Sequence, residues 1–283
     1  MPRGPDSPWG APSGPEGTLI EIFQYEFLRN ALLAGVLASV ACGIVGSFVL
    51  VKRIVFLAGG IAHASFGGIG LGYLLGVNPV HSALAFSLLS AMGMGATVKR
   101  IRVSEDAAIG ILWTIGMALG ILFVGLSPGY APDLFSYLFG NILMVPTGDL
   151  ILMAVLDLFI LLVTLTLYKE LVAVCFDEEF ATVAGLPTRT LYLLLLAMVA
   201  LTVVMLIRIV GIILVLALIT IPAATARRFS TGMKRMIALS VLFGIIFVIA
   251  GLLLSYLFNL PSGATIILVG GGAFVLLELF RRR

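Results

Sequence analysis

Long apolar runs separated by short polar connectors fill the sequence from about residue 27 onward. The runs approach the roughly 20 residues that a helix needs to cross a bilayer, and none shows the sustained apolar–polar alternation of a barrel strand. Because backbone groups in lipid must bond within their own segment, the pattern predicts an all-α, polytopic transmembrane helical bundle. The nine predicted spans are residues 27–51, 54–77, 79–98, 107–127, 149–168, 190–207, 209–226, 236–257 and 263–280.

Two segments fall outside these spans. Residues 133–145 are apolar but too short to cross, and prolines flank them, so we expect a short re-entrant or interfacial helix there. Residues 1–17 are rich in proline and glycine and cannot bury enough surface to become ordered. We therefore expect a disordered extracytoplasmic tail over residues 1–25, not a signal peptide, followed by a transmembrane domain over residues 26–283.

Composition supports the membrane interpretation. Hydrophobic residues make up 61% of the 283 and charged residues 11%, and the mean hydropathy is +1.19. A soluble domain carries roughly a quarter charged residues, so this is an integral membrane protein. In a soluble protein the net charge of +3 and the pI near 9.0 would suggest a nucleic-acid partner. Here the basic residues lie between apolar runs, and no nucleic-acid partner is expected.

The basic residues also predict the orientation of the chain in the membrane. Of the 17 Lys and Arg residues, all but Arg3, Arg29 and Arg208 lie in alternate connectors. Cytoplasmic connectors carry an excess of Lys and Arg. The distribution predicts a multi-pass protein of the cell membrane, with the N-terminus outside and the C-terminus in the cytoplasm.

Several kinds of chemistry are missing from the sequence. It has no GxxxxGK[ST] segment to cradle nucleotide phosphates, no HExxH and no paired-cysteine motif, so we expect neither an enzyme nor a bound cofactor. Cys42 and Cys175 suggest no disulfide framework. The ionisable groups in or beside the apolar runs are His63, Asp157, Arg208 and Glu278, too few for a proton or sodium relay. Energy for any pumping would come from another subunit.

His63 interrupts the second predicted span. On a helix it shares one face with Gly59, Gly67 and Gly70. Glycines on a membrane helix let another backbone approach closely, or they leave an open lane beside the helix. His63 is then either part of a pathway wall or a hydrogen-bonding group in a small-residue contact between helices. Function is the default hypothesis for an ionisable group within the membrane.

The other three ionisable groups have simpler interpretations. Asp157 lies in the middle of a span, either as a cation-attracting carboxylate or as a buried acid paired with a basic or hydroxyl group. Arg208 lies between two apolar runs, where an end cap that reaches the membrane surface is expected. Glu278 is one turn from Arg281, and an ion pair at the helix end would account for it.

The connector over residues 176–189, FDEEFATVAGLPTR, predicts a short amphipathic helix on the cytoplasmic side. Phe180, Val183 and Ala184 would share one face, Gly185 would stop the helix, and acidic residues at its start suit the helix dipole. Such a helix can dock into a groove of a partner protein, or it can be a plain linker.

A proline marks the inner end of the seventh predicted span, LITIPAATARRF at residues 218–229. Pro222 removes a helical hydrogen bond, and Ala223, Ala224 and Thr225 keep the following turn slim. A slim, kinked helix end can move as a gate. Alternatively, the kink is static and a threonine hydroxyl patches it.

Four segments together resemble one family. The chain is similar to the permease subunits of the zinc/manganese/iron ABC importers over nearly its whole length from about residue 26. The segments that carry the resemblance are AHAS at 62–65, YLFGNIL at 137–143, EFATVAGL at 179–186 and VGIILVLALITIPAATARRF at 210–229.

The resemblance implies a homodimeric permease in a type II-like importer, with the translocation path at the dimer axis. An extracytoplasmic solute-binding protein would deliver the metal, and cytoplasmic ABC ATPase subunits would bind and hydrolyse ATP. His63 matches the family's metal-pathway histidine. Many members have an aspartate one turn before it, where this chain has Gly59. The matching coupling-helix positions are Glu178, Glu179, Phe180, Ala181, Ala184 and Gly185.

The leading hypothesis is therefore import of a divalent transition metal ion, namely zinc, manganese or iron, into the cytoplasm. Within the same family, Gly59 leaves open an importer of another small solute. From a different class, an ion-coupled carrier or channel that works without an ATPase would fit the hydropathy but not the docking helix.

Overall fold

The computed structural model describes residues 26–97, 104–128, 140 and 142–281. Within these ranges the chain is helical and has no strand, which confirms the predicted class. The predicted tail lies outside the described residues, and of the predicted short helix only a 3₁₀ turn, Ile142–Met144, is described. The helices are α1 Glu26–Lys52, α2 Val55–Leu75, α3 Pro79–Thr97, α4 Glu105–Leu126, α5 Thr147–Thr166, α6 Tyr168–Phe176, α7 Glu178–Val183, α8 Thr188–Phe229, α9 Met233–Phe258 and α10 Ser262–Arg281.

Each predicted span coincides with a helix or with half of one. In the described part of the chain, eight segments are long and apolar enough to cross a membrane: α1, α2, α4, α5, the two halves of α8, α9 and α10. The third predicted span corresponds to α3, which has 19 residues but also carries His81 and three serines. The predicted count of about nine spans is thus close to the count of eight by length and hydropathy.

The two halves of α8 form a helical hairpin. Gly211 has φ 77° and ψ 162°, which breaks the helix near the turn predicted between the sixth and seventh spans. Tyr192, near the start of α8, lies below the Lys52 ammonium, and Arg227, near its end, lines the same cleft as Lys52. Because both ends of α8 lie beside the end of α1, the chain reverses direction at Gly211. A positive φ of this kind suits glycine.

The bundle has two groups of helices joined by α8. One group contains α2, α3 and α4, and the other contains α1, α5 and α9, with α10 packed against α9. The α8 hairpin packs against α1, α2, α3, α9 and α10, so it connects the groups. Any movement of α8 therefore reaches both of them.

Small residues set the distances between helices. A side chain at Gly46 of α1 would overlap the backbone of Ile219, and one at Gly70 of α2 would overlap the backbone of Gly120 in α4. In lipid, close packing of this kind replaces the hydrophobic effect as the force that associates helices. At Gly70, the close-approach alternative is therefore the one found, and the open-lane alternative is wrong there.

One end of the bundle, here called the basic end, gathers Lys52, Arg53, Arg227 and Arg228. The first three line a common cleft, and Arg228 forms an ion pair with Glu278 of α10 at 2.8 Å. This grouping is what basic residues in alternate connectors require. The side of the membrane that the basic end faces stays a prediction.

Candidate functional site

His63 lies midway along α2 and is half-buried against α4. Its ring stacks on the indole of Trp113, with 3.8 Å between the ring centroids and 12° between the planes. Nδ1 is buried and has no hydrogen-bond partner among the described residues. The hydrogen bond that the purely structural interpretation expects is therefore not seen at this atom. A neutral imidazole nitrogen held in this way can act as a ligand for a metal ion.

Gly59, one turn before His63 on α2, is buried but is not pressed against a neighbouring backbone. A Cβ placed on Gly59, one turn before His63, would have its nearest neighbours, Leu216 and Trp113, at 3.8 Å, which is ordinary van der Waals contact. In the described part of the chain no three His, Cys, Asp or Glu side chains come together as a metal cage. One chain therefore offers a single imidazole at this level of the membrane, which suits brief ligation more than storage.

A half-open face of α8 runs from Ala217 to the basic end. Ala217, Thr220 and Ala224 are partly exposed along this face, whereas Ile219 and Ala223 beside them are fully buried. The face ends in a cleft of about 940 Å³ at the basic end. The lining of this cleft includes Ala224, Arg227, Arg228, Phe274 and Glu278.

The predicted gating segment lies on this part of α8. The helix continues through Pro222, and the hydroxyls of Thr220 and Thr225 donate to the carbonyl oxygens of Leu216 and Ile221, each at 2.8 Å. Pro222, Ala223 and Thr225 are buried, and Ala224 faces the cleft. These bonds do not go to the Leu218 carbonyl oxygen, which Pro222 leaves without a helical amide. The static alternative and the gating role both stay predictions.

The connector between α6 and α8 forms α7. The Asp177 carboxylate caps its start by accepting from the Phe180 amide at 2.9 Å. Gly185, with φ 82°, closes its end, where the Leu186 amide donates to the Ala181 carbonyl oxygen at 3.0 Å. This pattern is the glycine-ended helix stop expected from the sequence.

The predicted coupling residues divide into two sets. Glu179, Phe180, Ala184 and Gly185 are exposed, and the Phe180 side chain is 68% exposed. Ala181 is fully buried. Glu178 forms an ion pair with Lys52 of α1 at 2.7 Å, so it faces the body of the bundle. The surface that α7 offers to a partner is therefore the first set.

A buried thiol lies at the end of α6, close to this connector. Burial raises the pKa of Cys175 to about 12, and the nearby Lys52 ammonium opposes that rise. A thiol with so high a pKa is almost entirely protonated at neutral pH and hence a poor nucleophile or metal ligand. The role of Cys175 in this site is therefore to pack against its buried neighbours.

Two of the remaining ionisable groups, Asp157 and Glu278, have surroundings that the sequence did not indicate. Asp157 is 8% exposed, and its Oδ2 has no hydrogen-bond partner among the described residues, so the expected basic or hydroxyl partner is missing there. Glu278 pairs with Arg228 of α8, and the prediction of a pair within its own helix missed this contact. The side chain of Arg208 lies outside the described part of the structure.

Two residues of the site were missed by sequence reasoning. Trp113 stands in the middle of an apolar run, and nothing in its sequence spacing connects it to His63. Lys52 was used only as a marker of orientation, although a lysine at the exact end of a span is also placed to bind helix-end carbonyls.

Comparisons with known proteins agree with this architecture. Residues 24–281 match the ABC 3 transport family. An uncharacterized membrane protein of Synechocystis is 47% identical over 264 residues, which is 93% of this chain and 94% of that protein. The manganese transport system membrane protein MntC of Halalkalibacterium halodurans is 34% identical over 260 residues, covering 92% of this chain and 89% of the relative.

A solved structure shares both fold and sequence with the chain. PsaBC from Streptococcus pneumoniae, solved in complex with a Fab, has a chain that matches with a TM-score of 0.83 and 32% identity over 92% of this chain and 94% of that one. The chain is therefore a membrane permease of the ABC 3 transport family.

Proposed function

We propose that this chain is the membrane-spanning subunit of an ATP-driven importer of a divalent transition metal ion, namely zinc, manganese or iron. The observation that carries the proposal is His63, an imidazole within the membrane that stacks on Trp113 and whose buried Nδ1 has no hydrogen-bond partner among the described residues. Similarity to a protein named for manganese transport supports the class of substrate.

Metal passage requires weak binding. An ion that is held by a full cage cannot leave quickly, whereas a single imidazole gives transient ligation. In a homodimer the twofold axis supplies a second imidazole, because each protomer contributes the same residue. The half-open face of α8 would then be closed by the second copy, and the path would end in the cleft at the basic end.

The energy source and the partners follow from the same proposal. The basic end faces the cytoplasm, where Lys and Arg accumulate in membrane proteins. Separate ABC ATPase subunits hydrolyse ATP and dock on the exposed set of α7, with Phe180 at its centre. An extracytoplasmic binding protein delivers the metal ion to the opposite end of the bundle.

Metal uptake by the complete complex in proteoliposomes tests this function. His63→Ala should lower uptake of radiolabelled manganese or zinc about 100-fold, at the upper end of what losing one group in a metal site costs, with folding intact. His81→Ala is a matched control, since it removes the other histidine of the chain at the start of α3. Unchanged uptake with His63→Ala would mean that the imidazole only packs against Trp113.

A second candidate is an importer of another small solute. It is favoured by Gly59, which leaves no carboxylate one turn from the imidazole to help hold a divalent cation. Wild-type complex that hydrolyses ATP in the presence of its binding protein but imports none of the three metals would favour this candidate.

A further inference from the structure

The joint between α6 and α7 holds an ion pair that the proposed metal path does not use. Lys52 is the last residue of α1, and its Nζ donates to Glu178 Oε2 at 2.7 Å and to the carbonyl oxygen of Val174 at 2.9 Å. The same Nζ lies 5.7 Å from the centroid of the Tyr192 ring of α8. One ammonium thus contacts α6, α7 and α8 at once.

The position of the ammonium suits both helix ends. Val174 is in the last turn of α6, where carbonyl oxygens lack a partner within the helix, and a cation is favourable there. Glu178 is the first residue of α7, where a carboxylate is favourable. The side chains of Lys52 and Glu178 are only 15% and 26% exposed, so water and salt screen the pair less than a surface pair.

The ion pair also links a short, exposed helix to the core. α1 packs against α5, α8 and α9, whereas α7 has six residues and buries only Ala181. The Thr182 hydroxyl lies 3.0 Å from that of Thr188 at the start of α8, and the Glu178 carboxylate ties α7 to α1. A push on the exposed set of α7 therefore reaches the end of α1 through this pair.

We propose that Lys52 is a positioning residue that makes α7 move together with α1, so that ATP hydrolysis in the partner is converted into movement of the bundle. This inference rests on the proposed function, since it needs an ATPase that docks on α7. It adds Lys52 of α1 to the residues that couple the ATPase to the bundle. It also assigns Glu178 to the contact with Lys52 inside the permease.

The test measures ATP hydrolysed per metal ion imported by the complete complex. Lys52→Met and Glu178→Gln should each raise this ratio about fivefold, the lower range of a coupling between two sites. Lys52→Arg, which keeps the charge and the donors, should stay within about twofold of the wild type. Lys169→Met removes an exposed lysine of α6 at the same end and is the matched control, with no change expected.

A double variant separates coupling from general damage. If the two groups act as one unit, Lys52→Met with Glu178→Gln should be no worse than either single change, because the shared contact is already lost. Fully additive ratios, or a wild-type ratio in both single variants, would overturn the inference. Should Lys52→Met fail to fold, Glu178→Gln decides alone, since it preserves the shape of the side chain.

Hydrogen exchange in the purified permease gives a readout that does not depend on transport. Lys52→Met should speed exchange of the amides of residues 177–184 by about fivefold or more and leave those of α9 unchanged. Equal exchange in the variant and the wild type would refute the link between α7 and α1. A wild-type complex that imports no metal would instead refute the proposed function, and the exchange result would still decide the role of Lys52.

Discussion

The surroundings of His63 and of Lys52 differ in how their polar groups are satisfied. The imidazole is held by stacking on Trp113, and its buried Nδ1 bonds to no described residue. The Lys52 ammonium is engaged by Glu178 and by a carbonyl oxygen of α6. A polar group in lipid that lacks partners is costly, so its retention favours a role with a passing ligand, whereas a group with partners on several elements favours a role in holding them together.

Among the changes that test this contrast, the largest effect is expected from replacing Trp113, which stacks on His63. Trp113→Ala removes the ring that holds the imidazole and should reduce metal uptake by the complete complex about 30-fold, as loss of a group that orients a metal ligand does. The side chain is only partly buried, so the protein should still fold. Trp113→Phe keeps an aromatic face and should lose much less, whereas equal losses in the two variants would mean that stacking on an aromatic face is not what holds the imidazole.

On the exposed set of α7, replacing Phe180 should have a smaller effect. Phe180→Ala should weaken binding of the ATPase subunit about tenfold, because buried aromatic anchors carry more than 1 kcal/mol in protein interfaces. Since this side chain is 68% exposed in the permease alone, the melting temperature of the permease should not change. The affinity is measured with purified permease in nanodiscs and the ATPase subunit.

Phe176 is a matched control for that experiment. It is 67% exposed and ends α6, so Phe176→Ala removes the same apolar area a few residues before the docking helix. Its loss should change the affinity by less than about twofold, as at the edge of an interface. Equal weakening by both variants would mean that the ATPase binds a broad apolar surface and not α7.

How much of this contrast the sequence predicts depends on the distance between partners along the chain. Apolar runs marked the spans, and Gly185 marked the end of α7, because these signals are local. The pair of Lys52 with Glu178 joins residues 126 positions apart, and Glu278 pairs with Arg228 on another helix. Contacts of this kind arise from the packing of helices, so a pattern read along one helix does not reveal them, and the local pair expected for Glu278 stays a prediction.

The environment of His63 was only half predictable for the same reason. The row of glycines on α2 indicated either an open lane or a close contact. Gly70 packs on the backbone of α4, whereas Gly59 is buried but would accept a Cβ in ordinary van der Waals contact. Whether a glycine of α2 touches a neighbouring backbone or leaves room for a Cβ depends on where α4 and α8 cross α2. Trp113 belongs to one of those crossings, and a pattern read along a single helix carries no information about it.

Gly59 allows the smallest and most specific test of the surroundings of His63. Gly59→Asp would add a carboxylate one turn from the imidazole, and two ligands on one helical face hold a divalent cation more tightly than one. Because a tightly held ion leaves slowly, maximal uptake should fall about threefold while the purified permease retains more metal. Gly59→Asn has the same size without the charge and should change neither quantity. Equal behaviour of the two variants would show that only volume matters at this position, and the single imidazole would then not be the group that sets the residence time of the ion.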